Sequence, residues 1–194
     1  MVKQDKEIKE KIINATIELI KKHGDTSKIT VRGIAASAGV GIGLINYHFQ
    51  TKDHLVNLCS LELIRHSIDQ LLAMNQNVEI EPIDQMKTLG RGIAVFMVMN
   101  PGVSRISMIK DFVSANTSDN STQVIKMFFP IARKICGKNK SDQDLYILLH
   151  MLVSSIQAAF LRIDVMRESF GIDFNETEQR DHFVDFGIER LFSK

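Results

Sequence analysis

One stretch, TVRGIAASAGVGIGLINYHF from Thr30 to Phe49, leaves this chain few ways to fold. Val31, Ile34, Ala35 and Ala38 recur at helical spacing on one face, and Val40, Leu44 and Ile45 are placed to close over it. Ala35 is small enough for two helices to cross closely. Gly39 falls where the first short helix must end in a left-handed residue, a conformation glycine adopts at little steric cost. Thr30 offers its hydroxyl to the unpaired amides of the first turn. The pattern predicts a helix, a turn and a second helix, with the motif spanning 30–49.

The remainder reads as helix throughout, with no strand-like alternation and no internal repeat. Ile8, Ile12, Ala15 and Leu19 give an amphipathic first helix over 5–22, closed by Gly24. Thr51 is the expected N-cap of a long fourth helix carrying Leu55, Leu58, Leu61, Ile64, Ile68 and Leu71 toward Met74. Pro82 suits the first position of a fifth helix, whose second half, GIAVFMVM, lacks polar side chains and is expected to be buried on every side before Asn100 and Pro101 stop it. A sixth helix is predicted over 102–116, followed by the loop SANTSDNST. The seventh is interrupted or bent at Pro130. Ser141 and Asp144 resemble a capping box opening a long eighth helix that ends near Gly171, and Asn175 is the expected cap of the ninth. The fold class is therefore all-α, about nine helices, with a three-helix N-terminal domain (5–60) joined through the fourth helix to a C-terminal helical domain (61–194).

Composition narrows the function. With 44% hydrophobic and 24% charged residues in 194, the chain can bury a core. The net charge of +1 hides an asymmetry: residues 1–60 carry nine Lys/Arg against six Asp/Glu, and 61–194 carry 15 against 17. A positive N-terminal part agrees with a phosphate partner. Cys59 and Cys136 have no metal-site or disulfide spacing and read as buried thiols in a reducing cytoplasm. The charged N-terminus lacks the apolar segment of a signal peptide. The longest uncharged run, Leu145–Leu161, contains His150, Ser154, Ser155 and Gln157 and reads as a buried helix, so no membrane association is expected.

The stretch 30–49, with Lys52 and Leu55 after it, resembles the DNA-binding domain of the TetR family of bacterial regulators. The matching positions are Thr30, Val31, Arg32, Ile34, Ala35, Ala38, Gly39, Val40, Gly43, His48, Phe49, Lys52 and Leu55. Gly41 and Asn46 depart from it, standing where the family usually has a hydroxyl residue and a tyrosine that touch phosphate. The resemblance implies a recognition helix over Ile42–His48 that enters the major groove, a lysine-and-helix-terminus phosphate site at Lys52, and a palindromic operator read by a homodimer built from the eighth and ninth helices. The DNA-contacting set is then Thr30, Arg32, Gly41, Ile42, Gly43, Asn46, Tyr47, His48 and Lys52. Asn46 is suited to an adenine edge, and Tyr47 and His48 to phosphate or a thymine methyl.

The resemblance also implies a small-molecule cavity among helices 4 to 8. Phe96, Met108, Phe112, Met127 and Phe128 are the candidate apolar lining, and His150, Ser154 and Gln157, spaced to share a helical face, the polar one. Arg91 and Arg105 flank this region and can meet an anion or solvent. The expected function is a repressor released from its operator by an apolar or amphipathic ligand, with no cofactor. Two alternatives stand beside it: a DNA-binding protein of this architecture with a protein partner or no effector, including an activator, and a ligand-carrying bundle with a vestigial motif. A nucleotide-binding reading of GVGIG fails for want of a preceding strand. Catalysis has no support either, since there is no Glu-x-x-His pair or nucleophile signature, and His182, Asp181 and Asp185 read as the wet face of a terminal helix.

Overall fold

A computed structural model describes residues 2–23, 28–56, 58, 59, 62, 63, 66, 70, 80–113, 117 and 119–193. Every regular element among them is a helix: α1 (Val2–His23), α2 (Val31–Ala38), α3 (Ile42–Phe49), α4 (opening at 52–56), α5 (Pro82–Met99), α6 (Pro101–Val113), α7 (Asn120–Cys136), α8 (Asp142–Leu161), α9 (Ile163–Phe170) and α10 (Thr177–Phe192). Gly24, the loop at 25–27 and the stripe residues Leu61, Ile64, Ile68, Leu71 and Met74 lie outside the described residues.

The chain forms two compact units, one of residues 1–66 and 99–107 and the other of 67–98 and 108–194. α6 therefore contributes to both. Val103, Ser104 and Ser107, in its first half, are buried, and Met108, at the start of its second half, joins the core of the second unit.

In the first unit α1 packs on α2 and α2 on α3 around Ile12, Ile20, Ile34, Ile45, Phe49 and Leu55, all essentially without solvent contact. Cys59 lies in this core with its thiol directed at the Ile13 carbonyl, 3.7 Å away. Burial pushes that thiol up to about 12, so it stays protonated and inert.

The second unit is a bundle in which α8 packs against both α7 and α10, and these two also meet. Leu145, Leu149, Leu152, Val153, Ile156 and Phe160 of α8 form its centre. This helix has the length and hydropathy of a membrane span, and here its apolar face is the core of a helical bundle. Gly90 lets α5 approach α10 at Val184 and Ile188. The same pair of helices is tied by Lys87 to Glu189 and by a two-point Arg91–Asp185 pair, so Arg91 is already matched to a carboxylate of its own chain. Arg105 is exposed.

Ser141 caps α8 with the full box: its Oγ accepts from the Asp144 amide and Asp144 takes bonds from the Ser141 amide and hydroxyl. Asp119 caps α7, which continues through Pro130.

Three expectations need correction. The apolar half of α5 is not enclosed all round, since Val95 and Met99 are exposed. The expected end of the sixth helix at 116 lies outside the described residues. The predicted eighth helix breaks at Arg162, which leaves helical geometry at φ −111, and resumes as α9 before ending at a left-handed Gly171. Asn175 does not cap α10. It bonds back to Asp173 through its amide and side chain, and the N-cap position falls to Glu176 without a side-chain bond.

Candidate nucleic-acid interface and ligand groove

The interface is assembled by the two ends of a tight turn. Thr30 caps α2, its Oγ accepting from Gly33 N at 3.0 Å. Gly39 ends α2 at φ 65, where a side chain is strained, and its amide closes the helix on Ala35 and Ala36. Two residues later Gly41 occupies the N-cap of α3 without a side-chain bond. A serine or threonine would supply that bond, so this glycine weakens the start of the helix.

α3 has two faces. Ile45 and Phe49 are 1% exposed and hold it to the unit. On the other side Ile42, Gly43, Leu44, Asn46 and Tyr47 are exposed, Ile42 at 42% and Tyr47 at 74%. A Cβ at Gly43 would meet nothing within 4 Å, so its bare backbone is open to a close approach from outside. Leu44, expected to close over α2, is on this outer face.

His48 departs from its predicted companions. Its side chain is only 6% exposed, with Nε2 3.6 Å from Asp5 Oδ1 of α1 and the ring edge-on to Tyr47. The expectation that it faces a groove fails because residue 48 lies three beyond Ile45, on the flank of the buried face.

Beyond α3, Gln50 adopts φ 62, ψ −55, and the Thr51 amide bonds to the Phe49 carbonyl across it at 2.6 Å. This is a γ-turn, a strained form for a residue with a side chain. Thr51 then caps α4, its Oγ accepting from His54 N at 3.1 Å. Lys52 enters the first turn partly buried, 3.7 Å from Asp53, and Arg32 is exposed on α2. Nothing in the residue pattern announced the γ-turn.

The second unit holds a groove of ≈ 560 Å³ between the end of α6, α7 and α8. It brings together Phe112, His150, Ser154 and Gln157 of the candidate set with Asp111, Thr117, Asp119, Ser121, Thr122, Ile125 and Lys126. The other predicted lining residues are not in it. Met108 and Phe128 are in the closed core, Met127 packs against that core, and Phe96 is half-buried elsewhere on α5. A helical stripe that fills a core uses the same residue types as one that lines a cavity, which is why the two were not separable beforehand.

Ser121 organises the groove. Its amide and hydroxyl donate to Asp111 Oδ2 at 2.9 and 2.7 Å, and Gln157 Nε2 donates to its Oγ at 2.8 Å. Burial raises the Asp111 carboxyl above the ordinary carboxylate range, and the Ser121 bonds pull it partly back. Asp111 and Ser121 had no sequence signal, since both belong to loop-flanking polar stretches.

A second, shallower hollow of ≈ 490 Å³ lies over Asp142, Gln143, Tyr146, Ile147, His150 and Met151 on α8. Tyr146 is stacked on Phe129 there, with ring centroids 4.5 Å apart. No group of three or more metal-ligating side chains occurs among the described residues.

Residues 12–59 match the model of the bacterial regulatory proteins of the tetR family. The N-terminal domain is thus of the TetR type, the DNA-binding domain of TetR-like transcriptional regulators. Solved structures extend the likeness in fold to the whole chain. A TetR-like transcriptional regulator from Rhodococcus sp. RHA1 is 17% identical, with 96% of this chain and 97% of that one covered at a TM-score of 0.58. A second TetR transcriptional regulator from the same organism is 17% identical, with 97% of each chain covered at 0.57. A gamma-butyrolactone receptor is 20% identical, covering 97% of this chain and 98% of its own at 0.52. Among curated proteins no match was found.

Proposed function

We propose that this TetR-family protein is a homodimeric repressor that α3 docks in the major groove and that a small ligand in the second unit releases. The observation that carries the DNA half is the two-sidedness of α3: Ile45 and Phe49 anchor it, while Ile42, Gly43, Asn46 and Tyr47 project outward together. Thr30, Arg32 and Lys52 flank that face as phosphate contacts, and Gly41 and Gly43 admit the backbone closely. His48 supports the helix from behind.

The effector half rests on the groove between α6, α7 and α8. Its apolar wall and converging polar groups suit a small molecule. One solved structure with this fold is a gamma-butyrolactone receptor, which agrees with a small-molecule effector. Homodimerisation would use α8 and α10, whose exposed Tyr146, Ile147, Met151 and Phe186 supply apolar surface. Coupling would run through the fourth helix, which joins the two domains, and through α6, which belongs to the first unit up to Ser107 and carries Asp111 and Phe112 of the groove at its other end. A hundredfold loss of operator affinity requires ~2.7 kcal/mol of coupling.

The test is binding of duplex DNA across a salt series, comparing the wild type with Lys52→Ala. Loss of a phosphate contact weakens binding to all sequences and lowers the salt slope by roughly one. An unchanged slope removes Lys52 from the interface, and no binding to any duplex at low salt favours a ligand carrier with a vestigial motif. Operator affinity that no small molecule alters favours a regulator with a protein partner.

A further inference from the structure

The polar groups of the α6–α7–α8 groove are unequal in sign. Among the described residues that line it, two carboxylates, Asp111 and Asp119, stand against one ammonium, Lys126, whose Nζ already lies 3.4 Å from the Thr117 carbonyl. The Ser121 hydroxyl gives its proton to Asp111 and accepts from Gln157, so it has no proton left for a ligand. Thr117, Thr122, His150 and Ser154 can donate or accept, so what distinguishes the described lining is its excess of negative charge. Its apolar side continues along α6: Phe112 is 53% exposed, and Ile109, one turn before it on the same face, is exposed as well.

We propose that the groove takes an amphipathic amine, with the ammonium against Asp111 and the hydrocarbon along Phe112 and Ile109, and rejects the carboxylate of the same skeleton. This rests on reading the groove as the effector site. Desolvation supplies the selectivity. Asp111 is half removed from water, so an arriving cation restores charge compensation that solvent gives only in part, whereas an arriving carboxylate adds like charge where screening is weak. A neutral alcohol falls between them, because it donates one hydrogen bond without charge.

The experiment is calorimetric titration of the full-length protein with n-octylamine, n-octanol and octanoate below their micellar concentrations. The three probes share a chain and differ only in head group. The expected order of affinity is amine, alcohol, carboxylate, with at least tenfold between the first and last. Asp111→Asn, which keeps an acceptor for Ser121, should bring amine and carboxylate within about threefold. Lys126→Ala should widen the gap, and Phe112→Ala should weaken all three.

Octanoate binding as tightly as octylamine, with both sensitive to Phe112→Ala, overturns the amine assignment and leaves the groove as the site. Binding insensitive to both Asp111→Asn and Phe112→Ala, or no binding of any probe, overturns the site itself. Circular dichroism of each variant separates these outcomes from loss of fold.

Discussion

Nε2 of His48 stands 3.6 Å from Oδ1 of Asp5, so the helix that carries the outward-facing cluster is braced by the first turn of α1. The nitrogen is buried and has no hydrogen bond, and the ring is held between those of Tyr47 and Phe49. Adjacent residues of one helix thus divide the work, Tyr47 facing outward and His48 inward.

That division predicts opposite phenotypes. Tyr47→Ala removes a side chain 74% exposed and should leave stability within about 0.5 kcal/mol while weakening DNA binding. His48→Ala removes a buried ring and should cost about 2 kcal/mol of stability, with any loss of DNA binding following the loss of folded protein. Denaturant melts and DNA titrations on the same two variants check both.

Gln50 holds the γ-turn between α3 and α4 at positive φ. Gln50→Gly relieves strain of order 1–3 kcal/mol against a glycine entropy cost of roughly 0.5–1 kcal/mol. The variant should gain about 1 kcal/mol, read as a higher denaturant midpoint at unchanged slope.

Gly90→Ala sets helix propensity against packing. Alanine favours a helix by about 1 kcal/mol over glycine. Its Cβ, however, would lie 2.8 Å from Val184 Cγ1 and 3.3 Å from Ile188 Cδ1, both in the core. Overpacking of that kind costs about 1–3 kcal/mol, so steric cost wins and the melting temperature should fall.

Asp144 titrates in the capping box of α8. Bonds from the Ser141 hydroxyl and amide hold its carboxyl below the usual value. A group whose folded value is depressed stabilises the fold above its unfolded value of 3.8 and loses that contribution as pH falls through the lower, folded value. Ser141→Ala should therefore reduce stability at neutral pH and narrow its difference from the wild type in acid, as thermal melts from pH 7 to 2 would record.

Local chemistry made much of this legible. Thr30, Thr51 and Ser141 cap helices and Gly39 and Gly171 end them because those roles depend on a few neighbouring residues. His48 was misplaced although its spacing from Ile45 carried the answer. Asn175 lost its cap to a competing turn with Asp173, which the same polar side chain serves equally well. The groove was half legible: His150, Ser154 and Gln157 share a helical face that spacing reveals. Asp111 and Ser121 meet them only through the packing of α6 and α7, and no periodicity encodes that.

The central claim is that two copies of α3 read DNA side by side. Selection of bound duplexes from a random pool by the full-length protein tests it most directly. The account predicts enrichment of an inverted repeat whose half-sites lie one helical turn or a multiple apart, with Tyr47→Ala failing to enrich it. A pool that emerges with no repeat, or a single unpaired half-site bound by a monomer, would contradict it.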